Sequence, residues 1–98
     1  MMNKNEFMNY EVAKVRELIA EKFSGDVKVQ TVTVVKMNDQ KFNGLSVSID
    51  GNNVCPTIYL DDAYEDYAAG NSPDVIAERI EKQVIMAYPE IPKLEEGK

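Results

Sequence analysis

The chain has 98 residues, 44% of them apolar and 29% charged, with a net charge of −6, one Cys and no His. That length makes one small domain able to bury about two-thirds of its surface without a metal or disulfide. The composition excludes an imidazole base, a histidine metal ligand, an internal disulfide and every multi-cysteine metal site.

Residues 5–23 predict an amphipathic helix, because Phe7, Met8, Val12, Val15, Leu18, Ile19 and Phe23 recur at three- and four-residue spacings. Asn3 or Asn5 is placed to cap its start. Ser24-Gly25-Asp26 ends it, with Gly25 suited to a left-handed position after the helix. Val27 to Met37 reads as a long strand, with Val27, Val29, Thr31, Thr33, Val35 and Met37 lining one face. Asn38-Asp39-Gln40 is a turn signal, and Lys41 to Asp50 is a second strand in which Gly44 marks a candidate bulge. Asp50-Gly51-Asn52-Asn53 is the strongest hairpin signal, since these residues tolerate positive φ.

Val54 to Leu60 is read as a third strand, placed at an edge because Pro56 cannot donate to a ladder. Asp61 to Ala69 switches to helical spacing, with Ala63, Tyr64, Tyr67 and Ala68 on one side and Asp61, Asp62, Glu65 and Asp66 on the other. Acidic residues in a first turn complement the helix dipole. Gly70-Asn71 stops that helix, and Ser72-Pro73 starts the last one. Its stripe is Ile76, Ile80 and Val84, flanked by Val75 and Ala87, and it ends at Tyr88 before Pro89. The expected fold is therefore α+β: an N-terminal helix, a three-stranded antiparallel β-meander and two C-terminal helices (α-β-β-β-α-α). Residues 1–88 form the single domain, and residues 89–98 a solvated tail.

The charge is unevenly spread. Residues 1–60 hold seven basic and seven acidic side chains, whereas residues 61–98 hold four and ten. Such a balance opposes direct binding to nucleic acid or to anionic membranes. No apolar run is long enough to span a bilayer, and the N-terminus lacks the apolar core of a signal peptide. A cytoplasmic location is expected.

Chemistry-bearing patterns are few. Cys55 has no histidine to activate it and reads as a small strand residue that packs as a hydrophobe. The acidic run from Asp61 to Asp66 lacks the spacing of a calcium loop, and paired carboxylates for sugar hydrolysis need a deep cleft. No phosphate loop or nucleophile elbow is present. No catalytic residue, metal ligand or cofactor is assigned. What remains is a Tyr-bearing acidic strand–helix segment, with Tyr59, Asp62, Tyr64, Glu65 and Tyr67 as candidate partner-binding residues. Tyr64 and Tyr67 have the plainer role of packing their helix onto the sheet. Tyr59 is expected to be exposed if Ile58 and Leu60 face the core.

The stretch Asn53 to Gly70, with Pro56-Thr57-Ile58-Tyr59-Leu60 at its centre and Tyr64, Tyr67 and Gly70 following, resembles an uncharacterised domain family of anaerobic gut bacteria. Its members carry a signature like N-x-x-P-T-I-Y-L, then Asn or Asp, then x-x-Y-x-x-Y-x-x-G. Met8-Asn9-Tyr10 and Asn43-Gly44-Leu45-Ser46-Val47 look similar too, so the resemblance covers about residues 5–88. It implies a self-contained domain, and since the family has no established activity it carries over no site residue.

The leading expectation is a non-catalytic module that binds a protein partner of unknown identity, through its aromatic surface or by adding a strand at a sheet edge. The main alternative is a small acidic inhibitor from a phage or mobile element that blocks a nucleic-acid-binding enzyme by imitating a phosphate array. An enzyme subunit or metal-dependent hydrolase ranks third. Homo-oligomerisation through the edge at Thr31-Val32-Thr33-Val34-Val35 is the fourth.

Overall fold

A computed structural model describes residues 1–54 and 58–87. Helix α1 spans Lys4–Ala20, and strands β1 (Val27–Val35) and β2 (Lys41–Ile49) follow. A three-residue strand, β3 (Asn52–Val54), precedes helices α2 (Leu60–Ala68) and α3 (Pro73–Ala87). The class is α+β. The readings for Cys55, Pro56, Tyr88 and the tail lie outside the described residues.

Two of the three helix starts, those of α1 and α3, have a local cap. Asn3 and Glu6 form a reciprocal capping box at the head of α1, each side chain accepting the other's backbone N–H at 2.9 Å. The Ser72 hydroxyl accepts the Asp74 N–H at 3.2 Å, and Pro73 fills the first helical position of α3. Between the two last helices, Gly70 takes φ +110°. Its N–H bonds the Tyr67 carbonyl and the Asn71 N–H bonds that of Asp66, the pattern of a Schellman stop.

The three-stranded meander requires correction. The sheet proper is a ribbon of two antiparallel strands, β1 and β2, paired without a break from Val27–Ile49 to Val35–Lys41. Past the turn at Asp50 and Gly51, whose φ angles are +52° and +82°, the ladder with β2 among the described residues covers Asn52–Val54. The expected third strand from Val54 to Leu60 does not run its length: Tyr59 makes a single bridge to Gly44, and Leu60 is already helical. The physical reason is competition for the outer edge of β2. The Ile58 carbonyl, within the expected strand, does bond the Leu45 N–H at 3.1 Å, but the next outward N–H of β2, that of Asn43, is taken by the Asp61 carboxylate of α2 at 2.6 Å. The order is helix–strand–strand–helix–helix, with β3 a stub.

Two glycine expectations also change. Gly44 makes no bulge, since its pairing with Val32 is regular. A Cβ there would lie 3.0 Å from Val34 Cγ2 and 3.4 Å from Val32 Cγ2, so glycine lets neighbouring side chains close over the strand. Gly25 is not left-handed, and α1 ends earlier than expected, at Ala20.

The core lies where the helices cover one face of the ribbon. Phe7, Val15 and Ile19 of α1 meet Val27, Leu45, Val47 and Ile49 of the strands, with Leu60, Ile76, Ile80 and Val84 closing it from α2 and α3. Fully burying each large side chain contributes about 1.5–3 kcal/mol. Glu11 sits in the α1 stripe between Phe7 and Val15 and is fully buried. The distal ribbon escapes this cover: Val32 and Val35 are exposed, and Met37, expected at the end of β1, lies fully in solvent beyond it.

Candidate functional site

The five candidate residues divide among three environments. Tyr64 and Tyr67 turn toward α1. Tyr67 stacks on Phe7 with centroids 5.0 Å apart, and Tyr64 is tilted against Phe7 at 5.5 Å. The Tyr67 hydroxyl accepts the Met2 N–H at 2.8 Å, a contact across 65 positions. These two half-buried rings hold α2 on α1, and not on the sheet as expected. Glu65 is exposed and stands apart from them.

Tyr59 is half-buried, which corrects its expected exposure. Ile58 and Leu60 do face the core, but the Tyr59 ring lies 5.6 Å from that of Phe42. The Lys36 ammonium sits over both, 4.6 Å from Phe42 and 4.8 Å from Tyr59. This cation–aromatic cluster spans the far face of the ribbon and fixes Tyr59 at the entrance to a cleft.

The cleft lies between α2 and α3 and encloses about 210 Å³. Ile58, Ala63, Ile76 and Ile80 make its apolar lining, while Tyr59, Asp62, Asp66, Arg79 and Gln83 supply its polar groups. Helical periodicity explains why Asp62 and Asp66 share this side of α2, being four residues apart, as are Arg79 and Gln83 on α3. Among the described residues none of Asp62, Asp66 and Arg79 is in an ion pair. Charges without partners above an apolar lining suit a ligand that is itself part apolar and part charged. The volume is below the roughly 300–1,000 Å³ of ordinary small-molecule pockets, and matches one inserted side chain better than a cofactor.

Asp61 belongs to a different arrangement. Its carboxylate accepts both the backbone N–H and the side-chain amide of Asn43, at 2.6 and 3.0 Å, and pairs with the Lys4 ammonium. Partial burial works against its charged form, but Lys4 and Asn43 outweigh that and hold its carboxyl below the usual range. Asp61 therefore ties α1, β2 and α2 together, and the acidic run is not one continuous solvated face.

Sequence reasoning found Tyr59 and Asp62 but not their neighbours Arg79 and Gln83. Both flank the apolar stripe of α3, a legible signal. That this flank meets α2 depends on the turn at Gly70. No group of three or more Cys, Asp or Glu converges as metal ligands would among the described residues, and no described helix is long and apolar enough to cross a membrane.

The family model of DUF5688, a family of unknown function, matches residues 5–96. No curated protein and no solved structure matches the chain.

Proposed function

Since the chain belongs to DUF5688, a family whose function is unknown, we propose its role from the cleft: it is a non-catalytic protein-binding module. One apolar side chain of a partner protein enters between α2 and α3, and a neighbouring cation of that partner meets Asp62 and Asp66. The observation that carries this reading is the pair of carboxylates, without ion-pair partners among the described residues, beside Ile58, Ile76 and Ile80. Such sites combine an apolar anchor for affinity with charges that set orientation and association rate. A single cysteine suits the reducing cytoplasm, where we place the module.

The rival reading, an acidic inhibitor that imitates a phosphate array, is weakened because Asp61 is engaged with Lys4 and Asn43. Affinity capture with charge-reversed chains separates the two. Asp62→Arg is expected to release the captured partner, whereas Glu65→Arg, an identical charge change outside the cleft, is expected to retain it. Equal loss with both variants would show that overall acidity alone matters, and would refute the cleft reading.

A further inference from the structure

The two edges of the β1–β2 ribbon are treated unequally. In an antiparallel pair, backbone groups of alternate residues point toward the partner strand and away from it. The Lys36 N–H donates to the Gln40 carbonyl, and the Asp26 carbonyl accepts the Asp50 N–H, both at 2.9 Å. The even-numbered residues of β1 therefore face β2, and the odd-numbered ones face outward. On β2 the outward edge is occupied by β3, Ile58 and Asp61. On β1 the contrast is plain. Arg16 Nε reaches the Val27 carbonyl at 3.4 Å, but among the described residues nothing hydrogen-bonds the outward groups of Val29, Thr31, Thr33 and Val35. Thr31, Thr33 and Val35 are exposed.

We propose that the outer edge of β1 is a second docking site, where an extended, acidic segment of a partner protein adds itself as a strand. Backbone pairing supplies four residues' worth of unfilled donors and acceptors, and Val32 and Val35, 37% and 58% exposed, offer one apolar contact on each face of the added strand. Charge selects the occupant. From Val27 to Lys41 the ribbon carries Lys28, Lys36 and Lys41 against Asp39, net +2 in a chain of −6. A second copy would bring lysines against lysines: with Val32 opposite the copy's own Val32, Lys28 meets Lys36. Like charges directly opposite destabilise a strand pair, whereas an acidic strand places unlike charges there. This site is separate from the α2–α3 cleft and does not depend on it.

The test uses the full chain and three synthetic peptides of alternating Val and Thr. One carries Glu at every third position, one has Lys in place of Glu, and one is the Glu peptide N-methylated on alternate amides. The Glu peptide is expected to slow hydrogen exchange at the Val29, Thr31, Thr33 and Val35 amides by about tenfold or more. The Lys and N-methylated peptides are expected to leave these amides unprotected. The exposed double variant Lys28→Glu/Lys41→Glu, which leaves strand pairing intact, is expected to reverse the preference between the Glu and Lys peptides. Equal binding of the Lys peptide, or of the N-methylated one, overturns the proposal. So does concentration-dependent protection of the four amides in the free chain, which would assign the edge to a second copy.

Discussion

The Asp50 carboxylate fills the space that a side chain at Gly25 would need. Its Oδ2 lies 2.5 Å from where a Cβ would stand, while its Oδ1 accepts the Asp26 N–H at 2.9 Å. Glycine leaves room here for the Asp50 carboxylate to reach Asp26 and answers to no unusual backbone angle, because Gly25 has no positive φ. In Gly25→Ala the exposed Asp50 carboxylate must turn aside and give up the Asp26 N–H, so a loss of roughly 0.5–1.5 kcal/mol is expected, the range for one hydrogen bond. In an Asp50→Gly background the same change should cost much less. Urea unfolding of the four chains measures the coupling, and additive effects would show that the contact is not the cause.

Glu11 carries an opposite kind of tension. It is fully buried in the α1 stripe, and neither carboxylate oxygen has a hydrogen-bond partner among the described residues. Burial first, and then the negative charge of Asp74 on α3, raises its pKa from 4.5 to about 7. Asp74 also accepts the Tyr10 hydroxyl, which holds that hydroxyl above its ordinary range. The folded chain thus binds the Glu11 proton more tightly than the unfolded chain does. Stability from this group is complete below pH 4.5 and is lost as pH rises toward 7. Glu11→Gln is expected to leave stability nearly unchanged at pH 4 and to raise it by roughly 1–2 kcal/mol at pH 8, after allowance for screening. A gain of equal size at both pH values would refute an ionisation effect.

Asp61 should show the reverse dependence. Its carboxyl is held below the ordinary 3.8 by Lys4 and Asn43 despite the opposing effect of partial burial. Its contribution is present above pH 3.8 and is lost as pH falls through the lowered value. Asp61→Ala removes the acceptor of the Asn43 N–H and is expected to cost about 1–3 kcal/mol near neutrality, with exchange of that amide accelerated. Unchanged protection of the Asn43 amide would show that another group serves it.

The α1–α2 contact rests on rings. Phe7→Ala removes the surface on which Tyr64 and Tyr67 rest and is expected to cost about 3–5 kcal/mol, a large share of a small domain's total stability. Tyr67→Phe keeps the stacking but leaves the Met2 N–H without its acceptor, so a loss near 1 kcal/mol is expected. Thermal unfolding distinguishes them. A Tyr67→Phe loss as large as that of Phe7→Ala would place the stabilisation in the hydrogen bond instead.

The sequence by itself determined the three helices, the two long strands and both turns. Those features depend on neighbours a few positions apart: the capping box of Asn3 and Glu6, the Ser72-Pro73 start, the positive φ of Asp50-Gly51 and the alternation of β2. Tertiary structure decided what spacing does not encode. The stretch before Leu60 alternates like a strand, yet the Asn43 N–H on the edge of β2 took the Asp61 carboxylate of α2 in place of a further strand residue. Alternation records which side chains share a face, not which backbone groups compete for an edge. Likewise Tyr59, Tyr64 and Tyr67 are close in the chain, but a helical start at Leu60 sends Tyr59 to Phe42 and the other two to Phe7. The α2–α3 cleft exists because Gly70 reverses the chain and brings the Arg79 flank of α3 to the Asp62 flank of α2, a meeting of two surfaces that each element's own pattern leaves open.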